Sequence, residues 1–300
     1  MGEHKELPVI QPGRRAEGRT PIFEKIGVVG LGLIGGSIAL RAREVWPSSL
    51  VIAVDRKDVL EIAMRMHAID VAADDLIVLA EADLVVLAAP VKQNIALLDR
   101  LDEHVRTAAV VTDTGSTKRE IAAAAGSLPP RFTFVGGHPL AGAAKGGLEH
   151  ARPDLFAGRP WLLTPATSDR ETDAFEKLSA FVSGLGAAPK RIEPAAHDRL
   201  VAFLSHLPQL TASALMTVVG DAVGGDGLAL AGRGLADTTR LAASPADIWQ
   251  DIAATNADHL GEALDALIAV LQDLRSDLRG GDQIAEIFTT AARWRERLPR

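Results

Sequence analysis

KIGVVGLGLIGGS, residues Lys25–Ser37, decides the fold. An apolar run of β type, Lys25–Val29, leads straight into Gly30-x-Gly32-x-x-Gly35 and then into a helical stretch, Ile34–Val45. Each glycine has its own job in such a strand–turn–helix unit. Gly30 permits the tight turn, Gly32 lets backbone approach a pyrophosphate, and Gly35 lets the helix pack close to the strand. The opening helical amides, at Leu33 and Ile34, then meet the phosphate at the positive end of the helix. Glycine spacing of this kind is not specific by itself. The next strand, LVIAVD over Leu50–Asp55, adds the missing part: Asp55 lies twenty residues past Gly35, where a dinucleotide-binding fold carries the acid that bonds the ribose.

Asp55 also bears on which dinucleotide binds. A carboxylate beside a 2′-phosphate meets repulsion of about 4 kcal/mol per unit charge at ~4 Å and an effective dielectric of ~20. A 2′-hydroxyl donates a hydrogen bond to it instead. NAD is therefore expected, and Arg56 leaves NADP open, because a guanidinium can grip the extra phosphate.

Outward from this unit, β-rich runs alternate with helical stretches as far as Glu193. Strands are expected at Leu84–Ala88, Ala109–Thr112, Phe132–Val135 and Trp161–Thr164, with helices at Val91–Leu101, Lys118–Ala125 and Asp169–Leu185. Near-continuous apolar strands such as LVVLAA require a parallel sheet covered on both faces. The alternation implies a doubly wound α/β domain. After Glu193 the β signal ends, and His197–Asp221, Pro245–Arg279 and Asp282–Leu298 read as helices. The reading is thus a tail over residues 1–22, a Rossmann-type domain over 23–193, and an all-helical domain over 194–300. Leu260, Leu264, Leu267, Leu271, Leu274 and Leu278 alternate four and three apart. That helix-packing seam is expected to serve a homodimer.

The 300 residues carry no cysteine and a net charge of −7. Disulfides and thiolate chemistry are excluded, and an acidic chain argues against a nucleic-acid partner. No uninterrupted apolar run approaches the roughly 18 residues of a membrane span. The N-terminal residues lack the apolar region of a signal peptide. A cytoplasmic protein is expected, in which an anionic substrate must be met by local cations.

The candidate chemistry lies at strand ends, where ligands bind in open α/β sheets. Ala88-Ala89-Pro90 follows one strand, with Ala89 and Pro90 expected against the cofactor. VVTDTGSTK places Asp113, Ser116 and Lys118 past a second, and FVGGHPLAG places His138 past a third. A histidine with an ordinary pKa of about 6.5 is mostly neutral at pH 7 and accepts a proton from a hydroxyl, so activity is expected to fall below about that pH. Ser116 either fixes the tautomer of that histidine, touches a carboxamide, or caps the following helix. On the helical side, Leu200, Leu204, Leu207, Leu210 and Ala214 form a packing stripe, while Ala202, His206, Gln209 and Ser213 form a small, polar one suited to a cleft wall. Pro208 interrupts this helix. In AGRGLADTTRLAASPADIW, Arg240 is the candidate for a bidentate grip on a carboxylate. Asp237 offers it a local ion pair instead.

Together GLGLIGGS, AAP, DTGSTK, GGHPLAG, HD with SHLP, and GLADTTRLA with IW resemble the prephenate/arogenate dehydrogenases of tyrosine biosynthesis, in order and over most of the chain. The resemblance implies an NAD(P)-binding domain, a helical dimer-forming domain, no metal, and oxidative decarboxylation of prephenate to 4-hydroxyphenylpyruvate or of arogenate to tyrosine. It implies that His138 is the catalytic base on the ring hydroxyl, with Ser116 beside it and the nicotinamide. Arg240 then binds the side-chain carboxylate, while His206 and His197 support the substrate site. The sequence departs from the pattern at Gln209, where several relatives carry a second histidine, and at Ala143-Ala144, where some carry Thr-Glu. Gln209 can still hydrogen-bond a carboxylate or an amine of the substrate, so the resemblance keeps it at the substrate site and leaves prephenate against arogenate open. The chain ends soon after its helices, so neither an ACT domain nor a fused chorismate mutase is expected in it. Two other readings stay in view. One is a β-hydroxyacid-type dehydrogenase, disfavoured by the absence of lysine after Lys190; the other is a non-catalytic dinucleotide sensor.

Overall fold

Apolar residues that alternate between two buried faces order the strands of the first half. In the computed structural model, which describes residues 19–143, 145–165 and 169–298, β1 (Lys25–Val29), β2 (Leu50–Val54), β3 (Val71–Ala73), β4 (Leu84–Leu87), β5 (Ala109–Asp113), β6 (Phe132–Pro139), β7 (Pro160–Pro165) and β8 (Ala188–Arg191) form one sheet. Its order is β3-β2-β1-β4-β5-β6-β7-β8. The chain reverses its direction of winding between β1 and β4, the switch point at which such sheets open a crevice. Val28 and Val86 enter one core with Ile38, Trp46 and Phe181, whereas their neighbours Val29 and Val85 enter the other with Leu98, Leu101 and Ile121. The period of two in a strand divides the side chains in this way, and it accounts for the double winding. The covering helices are α1 (Leu33–Val45), α2 (Lys57–Arg65), α3 (Val91–His104), α4 (Arg119–Ala125) and α5 (Asp169–Gly184).

Three features differ from the sequence expectation. β7 runs antiparallel to β6, so the sheet is mixed. β3, β8 and α2 were not expected: β3 is only three residues long, VAA, and β8 reads APKR, with its last two residues exposed, so neither carries an apolar run long enough to read as a strand. β6 extends past Val135 through His138 to Pro139, pairing His138 with Leu162. The expected tail falls, up to residue 18, outside the described residues, as does Ala144.

The chain divides into two compact units. The first runs to His197 and includes Ala246–Asp251; the second takes Asp198–Pro245 and Ile252 onward. After β8 come α6 (Pro194–Val201), a π-helical turn over Ala202–His206, α7 (Leu207–Leu228), α8 (Arg233–Thr238), a 3-10 turn over Arg240–Ala243, α9 (Ala246–Thr255), α10 (Ala257–Ser276) and α11 (Asp282–Arg295). The helix expected over Pro245–Arg279 is broken at Asn256, whose φ and ψ are −140° and 32°. Pro208 stands in the first turn of α7, just past the π turn, in which the amide of Leu207 reaches back five residues to the carbonyl of Ala202, and the helical backbone runs on through it.

Burial of the two stripes is the reverse of the expectation. Leu200 and Leu204 are 40% and 65% exposed, while Ala202, His206 and Gln209 are buried. Gln209 and Nδ1 of His206 find hydrogen-bond partners inside the second unit, as described below. The leucine seam is buried at Leu260 but exposed at Leu271 on α10 and at Leu278 just past its end. The helical stretch Pro194–Leu228 is also long and apolar enough, by length and composition, to cross a membrane. Ser205, His206, Pro208 and Gln209 interrupt its apolar residues, so no continuous run marks it in the sequence.

Candidate active site

The glycine loop is fixed by what has no room to exist. Gly30 has φ 95°, and a Cβ there would lie 2.9 Å from the carbonyl of Ala88, across the β1–β4 switch point. A Cβ on Gly35 would fall 1.9 Å from the carbonyl oxygen of Gly30. Gly32 faces open space instead, so its backbone offers an unobstructed approach to a pyrophosphate. Leu33 and Ile34 open α1 beside it, with Gly32 as the extended N-cap residue. Gly30, Gly32, Asp55, Arg56, Ala89 and Pro90 line one cavity of about 1010 Å³. Asp55 Oδ2 accepts from the amide of Leu31 at 2.5 Å and Oδ1 from the amide of Arg56 at 2.7 Å. The carboxylate is thereby tied to the loop. Arg56 is exposed and pairs with Asp58 at 3.0 Å. These residues fit a dinucleotide: a bare backbone at the phosphate position and an acid at the ribose position. Gly35→Ala is expected to destabilise the fold by about 1–3 kcal/mol through overpacking and to remove the rise in Tm that NAD produces. Thermal denaturation with and without NAD measures both; a retained NAD shift would refute this assignment of Gly35.

Asn94 is a residue that sequence reasoning missed. It is fully buried on α3, donates to the carbonyl of Leu87 and accepts from the amide of Ala89, both at 3.1 Å. It therefore shapes the Ala88-Ala89-Pro90 turn. A polar residue in the apolar series Val91, Asn94, Leu98, Leu101 was the available signal.

The reacting end is organised by Asp113, fully buried at the end of β5. Its Oδ2 accepts from the amide of Gly115 at 2.7 Å and pairs with the Lys118 ammonium; its Oδ1 accepts from the amide of Gly137 at 3.1 Å. One carboxylate thus ties the turn bearing Ser116 to the strand residue preceding His138. Lys118 is fully buried in this pair and does not serve as a surface cation. Ser116 does not cap α4, whose N-cap is Lys118. The glycines before His138 now have a reason. A Cβ on Gly137 would lie 2.5 Å from the carbonyl oxygen of Asp113, and one on Gly136 would lie 2.3 Å from Thr164 Oγ1. Asp113→Ala removes the carboxylate that bonds the amides of Gly115 and Gly137 and the buried Lys118 ammonium, and is expected to cost about 3–5 kcal/mol, read from the urea midpoint. A loss below about 1 kcal/mol would mean that the pair bears little of this load.

His138 is half-buried, and its Nδ1 lies 2.9 Å from Nε2 of His197. His197 is fully buried on α6. The two carboxylate oxygens of Glu193 accept from the amides of Ala195 and Ala196 at 3.0 and 2.9 Å, capping the helix that carries it. The ring of His138 is thus hydrogen-bonded to His197, a residue to which the resemblance gave only a supporting place at the substrate site.

In the second unit, His206 ends the π turn, a geometry frequent at functional sites. Its Nδ1 lies 3.4 Å from the side-chain amide of Asn256, which also donates to the carbonyl of Asp198 at 2.8 Å. Asn256, at the break between α9 and α10, is a second residue the sequence reading passed over. Gln209 is 4% exposed and bonds to the turn that carries Arg240. Arg240 itself is exposed, and no ion pair joins it to Asp237.

A Rossmann-type sheet with a tethered ribose acid, and a paired histidine at the rim of the same sheet, define the class: dinucleotide-dependent oxidoreductases. Residues 38–190 match the family description "Prephenate dehydrogenase, nucleotide-binding domain", and residues 193–290 match "Prephenate dehydrogenase, dimerization domain". The chain belongs to the prephenate dehydrogenase family. It is 32% identical over 284 residues to prephenate dehydrogenase of Bacillus subtilis, covering 92% of this chain and 76% of that one. The crystal structure of Synechocystis arogenate dehydrogenase is 31% identical, with a TM-score of 0.76, covering 91% of this chain and 100% of that one. Prephenate dehydrogenase from A. aeolicus, in complex with hydroxyphenyl propionate and NAD+, is 25% identical with a TM-score of 0.84, covering 91% and 97%.

Proposed function

We propose that this protein oxidatively decarboxylates prephenate to 4-hydroxyphenylpyruvate with NAD, in tyrosine biosynthesis. In this reading residues 23–193 hold the dinucleotide and residues 194–300 serve substrate binding and a homodimer in the cytoplasm. The observation that carries it is the bond from Nδ1 of His138 to Nε2 of His197 at the glycine-stripped end of β6. If Nδ1–H donates to His197, Nε2 of His138 carries no proton and accepts one from a ring hydroxyl. The imidazolium so formed keeps its Nδ1–H bond to His197. Bound NAD supplies the hydride acceptor. As the hydroxyl proton passes to His138 and the hydride on the same carbon is given up to that acceptor, the ring C–O becomes a carbonyl; the ring carboxylate then departs as CO₂, its electron pair completes the aromatic ring, and the phenolate oxygen takes the proton back from His138. Arg240 is proposed to hold the side-chain carboxylate, with Ser116 beside the reacting hydroxyl and His206 supporting the substrate site.

NAD is supported over NADP by the tether on Asp55, which keeps its carboxylate at the ribose position while Arg56 is drawn to Asp58. Exposed Leu204, Leu271 and Leu278 support the homodimer. A second reading, arogenate as substrate, is supported by the 31% identity to an arogenate dehydrogenase. Reduction of NAD and NADP, each with prephenate and with arogenate, tests all of this side by side. The expected result is fastest turnover with NAD and prephenate; a preference for NADP or arogenate would reverse the respective assignment.

A further inference from the structure

We propose that Gln209 is a positioning residue for Arg240 and not itself a ligand of the substrate, an inference that rests on Arg240 gripping the substrate carboxylate. Gln209 lies on α7 with its amide turned onto the 3-10 turn Arg240–Ala243. Its Nε2 donates to the carbonyl of Leu241 at 2.7 Å and to Ser213 Oγ at 3.4 Å, and its Oε1 accepts from Ser244 Oγ at 3.1 Å. The carbonyl of Leu241 also accepts from the amide of Ser244 at 3.1 Å, closing the turn. On the other side of Arg240, Thr239 is tied to the carbonyl of Leu235 through both its amide and its hydroxyl, at 2.9 and 2.7 Å. Arg240 is thus an exposed residue between two tethered ones. The turn buries none of its own residues, so polar bonds take the place of an apolar anchor. An amide side chain suits the position because it donates to a carbonyl and accepts from a hydroxyl at once. A carboxylate of the same shape would oppose the Leu241 carbonyl.

Loosening this clamp spreads the guanidinium over more positions, which weakens substrate capture while leaving the proton and hydride chemistry intact. The test uses the full-length protein with saturating NAD. Gln209→Ala, Gln209→Glu and the milder Ser244→Ala are made alone and in an Arg240→Ala background. Prephenate KM is measured together with hydrogen exchange across residues 233–246. Each Gln209 change alone is expected to raise KM by roughly tenfold, with kcat held within about threefold and the KM for NAD unchanged. In the Arg240→Ala background the same changes should add less than about twofold. Exchange at the amides of Ala242 and Ser244 should quicken in every Gln209 variant, and Ser244→Ala should show a smaller version of both effects. Equal KM penalties in both backgrounds would mean that Gln209 touches the substrate, and would overturn the proposal. So would an unchanged KM, or unchanged exchange in the turn. If Arg240→Ala alone leaves KM where it was, the role given to Arg240 fails, and the exchange data still decide whether Gln209 clamps the turn.

Discussion

His138→Asn is expected to lower kcat by about 10²–10⁴, the usual contribution of a positioned general base, while the Kd for NAD stays within about twofold. Asparagine keeps the side chain small enough for the end of β6 and still reaches a hydrogen-bond partner, but it cannot take up a proton. The glycine loop, Asp55 and the Ala88-Ala89-Pro90 turn lie on other strands and are untouched, so dinucleotide binding is spared. Steady-state kinetics with prephenate, paired with a titration of NAD, separate the two. Surviving turnover would remove His138 from the role of base. A companion change, His197→Asn, should give a smaller loss of kcat, because it disturbs the tautomer and aim of His138 without removing the accepting nitrogen.

The second large effect concerns Arg240. Arg240→Ala is expected to raise prephenate KM by about 10- to 150-fold, the equivalent of ~1.5–3 kcal/mol for hydrogen bonds to a charged group. The exposure of Arg240 argues for the lower part of that range, since solvent screens the pair. The KM for NAD should not move. Because the grip on a remote carboxylate serves ground state and transition state alike, kcat should fall much less than kcat/KM. An unchanged KM would send the carboxylate to another cation, though not to Lys118, which is buried in its pair with Asp113.

Most of the first unit was legible because its signals are local. The run Lys25–Ser37, the apolar strand LVVLAA and the acid at Asp55 each report their own environment, and β1, β2, α1 and α3 lie where the pattern puts them. What escaped depends on partners distant in sequence. β8 is charged and carries no strand pattern; it forms because β7 offers it a parallel edge. The polar stripe over the π turn and the start of α7 was taken for the less buried one because burial of His206 and Gln209 goes with Asn256, Leu241 and Ser244, which no local periodicity announces. Asp113 was seen as a rim residue, yet its work is to join Gly115, Lys118 and Gly137. Buried polar residues of this kind are the ones a periodicity argument discards as noise.

The most direct measurement of the central claim is the structure of the ternary complex with NAD and a phenolic product analogue. The account places Nε2 of His138 about 2.6–3.2 Å from the phenolic oxygen, with Nδ1 still bonded to His197. An imidazole turned away from the ring, or a phenolic oxygen held by some other group, would contradict it.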